Sequence, residues 1–348
     1  MTVNSRLETA VRSPAKDRYL PSASLDEYLR MVAVRHPELR ARLDDARMRS
    51  ADRLSALVST VNEFETDASG RGDSYRKAQQ DVSVRWTGAR RLLRLATPAG
   101  ATGDVTVLDV LGGDGLIARA VAENAGGTAA APTVLTGDIS GTMVERALAM
   151  GLPAVRQAAD YLFLRDASVD AVLLAYGTHH IAPADRPRAM AEALRVTRPG
   201  GRVVIHDFDE ASPMARFFAE LVHPHSAAGH DYRHFSREDM VALFQRLPAG
   251  VRVVDVYDPL VVRGRDPETA RRRMCDYVAD MYGIHQVMAG EKESSWRLLE
   301  EIFDHSAYLA RIGAASDTPH RPTVHEMSGY CVAEVPRMAL AAVAERVS

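Results

Sequence analysis

Four polar positions, each directly after an apolar run, carry the clearest chemical capacity in this sequence. Asp109-Val110-Leu111-Gly112-Gly113-Asp114-Gly115 joins the first such run to a helical pattern. Glycines in a turn of this kind let backbone amides approach a ligand and let the chain bend sharply into a helix. Alone, the turn suits a dinucleotide equally well. Asp138, closing the next run, places a carboxylate where both hydroxyls of a ribose can be accepted. Asp160-Tyr161 offers a carboxylate and a neighbouring amide to an adenine edge, and Ala175-Tyr176-Gly177-Thr178-His179-His180 puts polar groups after a fourth run. Ligands of open α/β sheets bind at the carboxyl ends of strands, so the four positions together predict an adenosyl ligand. The dinucleotide fingerprint Gly-x-Gly-x-x-Gly is replaced here by Gly-Gly-Asp-Gly.

The histidines supply a second kind of chemistry. His179 and His180 suit general-base work near neutral pH, or a purely structural role. His223-Pro224-His225 and His230-Asp231-Tyr232-Arg233-His234 form a second cluster. Imidazoles with a carboxylate suit zinc or iron. The same residues suit substrate binding or a base role for His230, Asp231 or His234. The third reading is a helix start, with Ser236 as N-cap and Asp239 closing a capping box. A helix over Arg237–Leu247 is expected in every case. Met274, Tyr277, Val278, Met281, Tyr282, His285 and Met288 follow helical spacing. They read as a core-facing stripe, or as a lid whose Tyr277, Tyr282 and His285 line an apolar pocket.

The elements that must position these groups are legible as alternating textures. Strands are expected at Val105–Leu111, Thr133–Asp138, Val155–Ala158, Val169–Ala175 and Arg202–Asp207, the last entered through the turn Pro199-Gly200-Gly201. Helices are expected at Leu116–Glu123, Thr142–Met150 and Arg186–Val196. This βαβ series implies a parallel sheet with right-handed crossovers. Val251–Tyr257 and Gly329–Val335 read as a hairpin-like close of the sheet edge, with a mostly helical insertion, Pro267–Arg311, between them. Upstream, helical spacing covers 24–65 with Ser22 or Ser24 as cap, 66–73 reads as a linker, and a further helix spans Gln79–Leu95. Residues 1–20 read as polar and loosely ordered, and the stretch 126–131 lengthens the first crossover. The resulting division is a helical N-terminal extension over 1–100, serving as lid or dimerisation surface. The α/β core takes 101–265 and 323–348, and a helical insertion over 266–322 serves as substrate lid.

Composition narrows the partners. The 348 residues carry a formal net charge of −3, with only Lys16, Lys77 and Lys292 as lysines. A nucleic-acid partner would call for a basic excess or stripe, so a small-molecule substrate is expected instead. No run approaches 18 apolar residues, which argues against a membrane span, and no secretory signal is visible. Cys275 and Cys331 suggest neither a disulfide framework nor a zinc knuckle. A cytoplasmic protein without a metal is the expectation, with a homodimer possible through the helices at 24–65.

On these residues the chain resembles the class I S-adenosylmethionine (SAM)-dependent methyltransferases. Val107–Gly115 is similar to the family's first motif, Asp/Glu-x-Gly-x-Gly-x-Gly. Asp138-Ile139-Ser140, Asp160-Tyr161, His179-His180-Ile181 and Arg195–Asp207 match later motifs in order, and the resemblance covers about 105 to 208. It implies a Rossmann-like α/β fold: a mostly parallel seven-stranded sheet with helices on both faces, a helical N-terminal extension and a helical insertion before the last strand. It implies SAM as cofactor. Asp109, Gly112, Gly113 and Gly115 would hold its methionine end, Asp138 its ribose and Asp160 its adenine amine, with Ile139 and Tyr161 also among the cofactor-binding residues. Ala175-Tyr176 would form the cofactor's inner edge and Tyr75-Arg76 would meet its carboxylate. Leu111 departs from the pattern where the first glycine is expected.

The overall layout is similar to small-molecule methyltransferases of antibiotic biosynthesis, in particular C-methyltransferases of aromatic amino acids such as tyrosine or 3-hydroxykynurenine. That likeness implies a base among His179, His180, His230 and His234, and a substrate site drawing on Asp231, Arg233, Tyr277, Tyr282 and His285. The alternatives are O- or N-methylation of another small metabolite, metal-assisted C-methylation beside a keto acid through His230, Asp231 and His285, and a catalytically silent SAM-binding subunit.

Overall fold

Strand β1 (Thr106–Asp109) is buried at every residue, as is β4 (Val169–Leu174). Uninterrupted burial is what a parallel strand shows when helices cover both faces. The computed structural model describes residues 18–60, 72–101, 104–124, 131–227, 229–289, 292–314 and 318–347. The expected linker at 66–73 and the crossover stretch 126–131 lie almost wholly outside the described residues, as does most of 1–20. Tyr19 and Leu20, however, are buried rather than loose.

Beside β1 and β4 lie β2 (Thr133–Asp138), β3 (Ala154–Arg156) and β5 (Thr197–Phe208). They pair in parallel in the order β3-β2-β1-β4-β5. Successive side chains point to opposite faces. Leu108, Leu135, Val172, Leu174, Val203 and Ile205 pack on one face with the helices Gly141–Ala149 and Arg186–Val196. Val107, Val134, Ala171, Leu173 and Val204 pack on the other, against Trp86–Ala96 and Leu116–Asn124.

The far edge differs from expectation. Strand β6 (Ala249–Tyr257) is followed by β7 (Leu260–Gly264), β8 (Thr323–Met327), β9 (Tyr330–Val335) and β10 (Met338–Arg346). The seventh strand of the main sheet is β10, inserted antiparallel between β5 and β6. The run expected at 329–335 to close that sheet instead forms a separate three-stranded sheet, β7-β9-β8. The reason lies in side-chain size. Ala339, Ala341, Ala342 and Ala344 are fully buried between flanking strands and covering helices, an alanine-rich pattern that gives neither alternation nor β-branched enrichment. The insertion itself is helical, Pro267–Tyr282, Lys292–Ile302 and Ser306–Ile312, and is bracketed in sequence by the small sheet of β7, β8 and β9.

The segment 25–59 belongs to the core. Tyr28, Val32, Leu39, Leu43 and Met48 are fully buried, and Tyr28 Oη donates to the Ala154 carbonyl at 2.9 Å. Ser24 caps Leu25–Arg35 in a reciprocal box with Glu27. The stretch expected as one helix over 79–95 is a helix (Gly72–Gln79), a 3₁₀ turn (Val82–Arg85) and a helix (Trp86–Ala96). The helix expected over 237–247 ends at Ala242, but its capping box between Ser236 and Asp239 is present. Ser236→Ala should lower unfolding stability by about 1 kcal/mol, the usual worth of an N-cap, measured by urea denaturation with Asp239→Ala as the companion variant. No helix among the described residues is long and apolar enough to cross a membrane.

Candidate active site

The turn after β1 is shaped by contact. Gly112 donates its N–H to the Gly137 carbonyl at 2.8 Å. A Cβ at Gly112 would stand 2.8 Å from Thr136 Cγ2 and 3.1 Å from Asp109 Oδ2, so only glycine fits without displacement. Gly115 has φ of +88°, and a Cβ there would meet Leu152 Cδ1 at 2.4 Å. Asp138 ties this turn to the end of β2: Oδ2 accepts from the Gly113 N–H and Oδ1 from the Ser140 N–H, both at 2.8 Å. Leu111, where the family pattern expects glycine, turns its side chain toward the cavity described below.

Asp109 lies beneath this turn, 2% exposed, with Oδ1 lacking a hydrogen-bond partner. Burial, and then repulsion from Asp138, push its carboxyl up to about 8. Such a group is mostly neutral at pH 7 until a cation approaches it. The amino-acid end of a sulfonium cofactor carries that cation, so the turn and its carboxyl fit the group the sequence implies.

Above the strand ends is a cavity of about 440 Å³, within the range of small-molecule sites, roughly 300–1,000 Å³. On the β1–β2 side it is lined by Gly113, Asp138, Ile139 and Met143, and on the β4–β5 side by Tyr176, Gly177, His179, His180 and Phe208. Its cover comes from both extensions: Thr60, Tyr75 and Arg85 from the N-terminal region, Met281 and Tyr282 from the insertion. Lys77 Nζ joins these two regions through Asp280 at 2.7 Å. The helical stripe of the insertion is thus core at Met274, Tyr277 and Val278, and becomes cavity wall at Met281 and Tyr282.

The β4–β5 wall is a stack of rings. Phe218 stacks on His230 at 4.1 Å between centroids, with Tyr232 4.4 Å from His180 and 5.1 Å from His230. Phe218 opens a five-residue π-helical segment, Phe218–Val222; such segments are rare and recur at functional sites. Behind the wall, Asp207 accepts from the Nδ1 side of two imidazoles, His179 and His234, each at 2.9 Å. It also accepts the His179 backbone N–H at 2.8 Å. Burial alone would raise the Asp207 carboxyl, but its two imidazole neighbours overcome this and hold it well below the usual range.

A buried charged network forms the floor beside Tyr176. Arg337 and Asp258 are 1% and 0% exposed, and Arg337 Nη2 donates to Asp258 Oδ2 at 2.6 Å. Tyr176 Oη donates to Asp258 Oδ1 at 3.2 Å, and the Arg85 guanidinium lies 3.8 Å over the Tyr176 ring. Tyr176 has φ of +64°; a non-glycine residue in that region is held at a cost of about 1–3 kcal/mol and persists where surroundings over-determine it. His206, fully buried next to Asp258, is pushed down to about 4 by desolvation and stays neutral at physiological pH.

Of the residues expected at the site, Tyr75, Gly113, Asp138, Ile139, Tyr176, His179, His180, His230 and Tyr282 line the cavity. Asp109, Gly112, Gly115 and Ala175 support it from the strand ends without lining it. Asp160 and Tyr161 are not brought in. Arg188 pairs with Asp160, and the guanidiniums of Arg47 and Arg53 cover the Tyr161 ring at 4.0 and 4.7 Å. His234 lines two neighbouring pockets instead, together with Asp231 and Arg233. Arg233 is exposed and paired with Glu210 and Asp239. Tyr277 is buried in the insertion, and His285 is exposed beside Asp280. The set His230, Asp231 and His285 is therefore not assembled in this structure. Sequence reasoning missed Arg85, Asp207, Phe218, Tyr232, Asp258 and Arg337. Asp207 carried a usable signal, since it ends its strand as Asp138 does, and Tyr232 lies within the His230–His234 run.

Comparison with known proteins agrees with this geometry. A family model described as a methyltransferase domain matches residues 108–205. A Brucella suis protein named ubiquinone/menaquinone biosynthesis C-methyltransferase UbiE is 30% identical over 207 residues, 57% of this chain and 68% of that protein. Its Brucella anthropi counterpart is 38% identical over 113 residues, 30% of this chain and 41% of that protein. The chain thus spans about two fifths of the length of several relatives it matches. Among solved structures, a Thermotoga maritima protein described as a SAM-dependent methyltransferase aligns with TM-score 0.45 at 14% identity, covering 81% of this chain and 98% of that one. Haemonchus contortus phosphoethanolamine N-methyltransferase 2 with S-adenosyl-L-methionine aligns with TM-score 0.46 at 14% identity, covering 84% and 61%. The strand-end turn, the Asp138 tether and the matched sequence together place this chain in the class I SAM-dependent methyltransferases.

Proposed function

We propose that this protein transfers the SAM methyl group to a small aromatic acceptor, at a ring carbon beside a phenolic oxygen, in the secondary metabolism of aromatic amino acids. The observation that carries the reading is the cavity itself: Gly113, Asp138 and Ile139 on one side, three imidazoles among aromatic rings on the other. The Brucella relatives, named as C-methyltransferases, support transfer to carbon. SAM, when bound, supplies an electrophilic methyl on a cationic sulfur. Asp138 holds the ribose hydroxyls, and Asp109 with the glycine turn receives the methionine end. Phe218, Tyr232 and Tyr282 clamp a planar acceptor, and positioning of this kind supplies much of the acceleration in a displacement. An imidazole of the wall takes the phenolic proton, which raises electron density at the adjacent ring carbon. A wall imidazole then accepts the proton displaced from that carbon, restoring aromaticity. The test is S-adenosylhomocysteine release against a panel of aromatic amino acids, with the product's new methyl located by NMR. Methyl found on oxygen or nitrogen, or no turnover across the panel, would reject the assignment.

Asp109 gives this reading a pH signature. Its folded value, about 8, lies far above the ordinary 3.8, so in the ligand-free protein it is protonated below that pH. The cationic end of the ligand favours the charged carboxylate. Binding of S-adenosylhomocysteine at pH 7 should therefore release a proton from most molecules, and the release should fade as pH rises above the Asp109 value. Affinity rises with pH until Asp109 is ionised, then levels. Calorimetry in buffers of different ionisation heat measures the release, with Asp109→Asn as control; equal heats in all buffers would contradict it.

A further inference from the structure

We infer that Asp207 singles out one imidazole of the wall, His179, as the proton acceptor of the cavity, with Asp207 acting as a positioning residue. The inference rests on the aromatic methyl-transfer reading above. Three imidazoles line the cavity, and His179 is the one whose Nδ1 lies on the carboxylate, 3.1 and 2.9 Å from its two oxygens. Its backbone N–H also binds that carboxylate, so ring and main chain are fixed by the same group. A carboxylate on Nδ1 selects the tautomer that carries its hydrogen there and leaves Nε2 with a bare lone pair. His179 Nε2 is buried and has no hydrogen-bond partner.

His234 explains why the carboxylate stays in place. Its Nδ1 binds Asp207 Oδ1 at 2.9 Å, with its ring 4.7 Å from that of His179, and it lines the two neighbouring pockets rather than the cavity itself. The ion pairs of Asp207 among the described residues are with His179 and His234, and no lysine or arginine lies within salt-bridge distance of it. In the step proposed, the acceptor O–H bond breaks and its proton moves to His179 Nε2. The electron pair stays on the oxygen, and the resulting imidazolium is compensated by the Asp207 charge already present.

His179, Asp207 and His234 also form the group among the described residues whose donor atoms come within 4.8 Å of one another, close enough to hold a metal ion. The experiment must therefore separate a proton from an ion. In the wild-type protein bound to S-adenosylhomocysteine, ¹⁵N NMR of the histidine rings should show both as Nδ1–H tautomers, after chelation and after incubation with Zn²⁺ or Co²⁺. Stoichiometric metal retained through gel filtration and lost in His234→Ala, or an Nε2–H tautomer at His179, would overturn the inference. On the acceptor identified by the panel, Asp207→Asn should lower kcat by about 100-fold or more while leaving S-adenosylhomocysteine affinity within about 2-fold. A ring-fluorinated acceptor, whose more acidic hydroxyl ionises unaided, should lose much less. A merely structural Asp207 would slow both acceptors equally. Wild-type turnover in Asp207→Asn would reject the pairing and leave the aromatic assignment standing. Failure of the whole panel would reject that assignment, while the tautomer measurement still decides the pairing.

Discussion

Replacing Asp138 by alanine is expected to weaken S-adenosylhomocysteine binding by about 100-fold. The carboxylate closes β2 on the cavity, with Oδ2 held by Gly113 N–H and Oδ1 by Ser140 N–H. Each oxygen keeps a lone pair for a ribose hydroxyl, and hydrogen bonds to a charged acceptor are worth about 1.5–3 kcal/mol each. Losing one such bond in net terms corresponds to a factor of 10–100, and the alanine also releases the Gly113 amide from its tether. A second consequence separates this from general damage. Asp138 is the neighbour whose charge raises Asp109 after burial, so the variant should lower the Asp109 value and reduce the proton release seen on binding. Calorimetry reads both quantities in one titration. Affinity within about 3-fold of wild type would exclude Asp138 from the ribose site.

The second large effect is on stability. Asp258→Ala should destabilise the fold by about 3–5 kcal/mol, the usual result of stripping one partner from a buried ion pair. Asp258 is wholly buried and receives Arg337 Nη2 on Oδ2, Arg337 Nε on its carbonyl oxygen at 2.9 Å, and Tyr176 Oη on Oδ1. With it gone, Arg337 is a desolvated cation whose other side-chain partner is Tyr282 Oη at 3.3 Å, and Arg85 adds a second buried positive charge nearby. The double variant Asp258→Leu with Arg337→Met removes both charges and should recover most of the loss, since apolar replacement of a buried pair is often neutral. Urea unfolding of the three proteins tests this. A single-variant loss under about 1 kcal/mol would show that water reaches the pair. Because Tyr176 lines the cavity with a left-handed backbone, the single variant should also reduce ligand affinity, whereas Ser236→Ala should not.

How far the sequence could be read follows from what each residue needs. Strands β1 to β5 were legible because each is a short apolar run between turn residues, and their order follows from right-handed crossovers. The glycine turn and Asp138 were legible because close backbone approach and a terminal carboxylate depend on residue type at fixed spacing. Strand β10 was not, because its alanines owe their place to strands and helices packed on all sides. Nor were Arg85 and Asp258, which look like ordinary surface charges until burial and partner are known. Asp160 shows the converse: the motif is present, yet Arg188 occupies its carboxylate.

By itself the sequence determined the α/β class, the strand-end turn and the adenosyl character of the ligand, since these rest on local periodicity and local sterics. Tertiary structure decided which histidines share a wall, that one buried carboxylate holds two of them, and that segments about 200 residues apart, at Tyr75 and Tyr282, cover one cavity. Those outcomes depend on burial and on long-range partners, and a linear pattern carries neither.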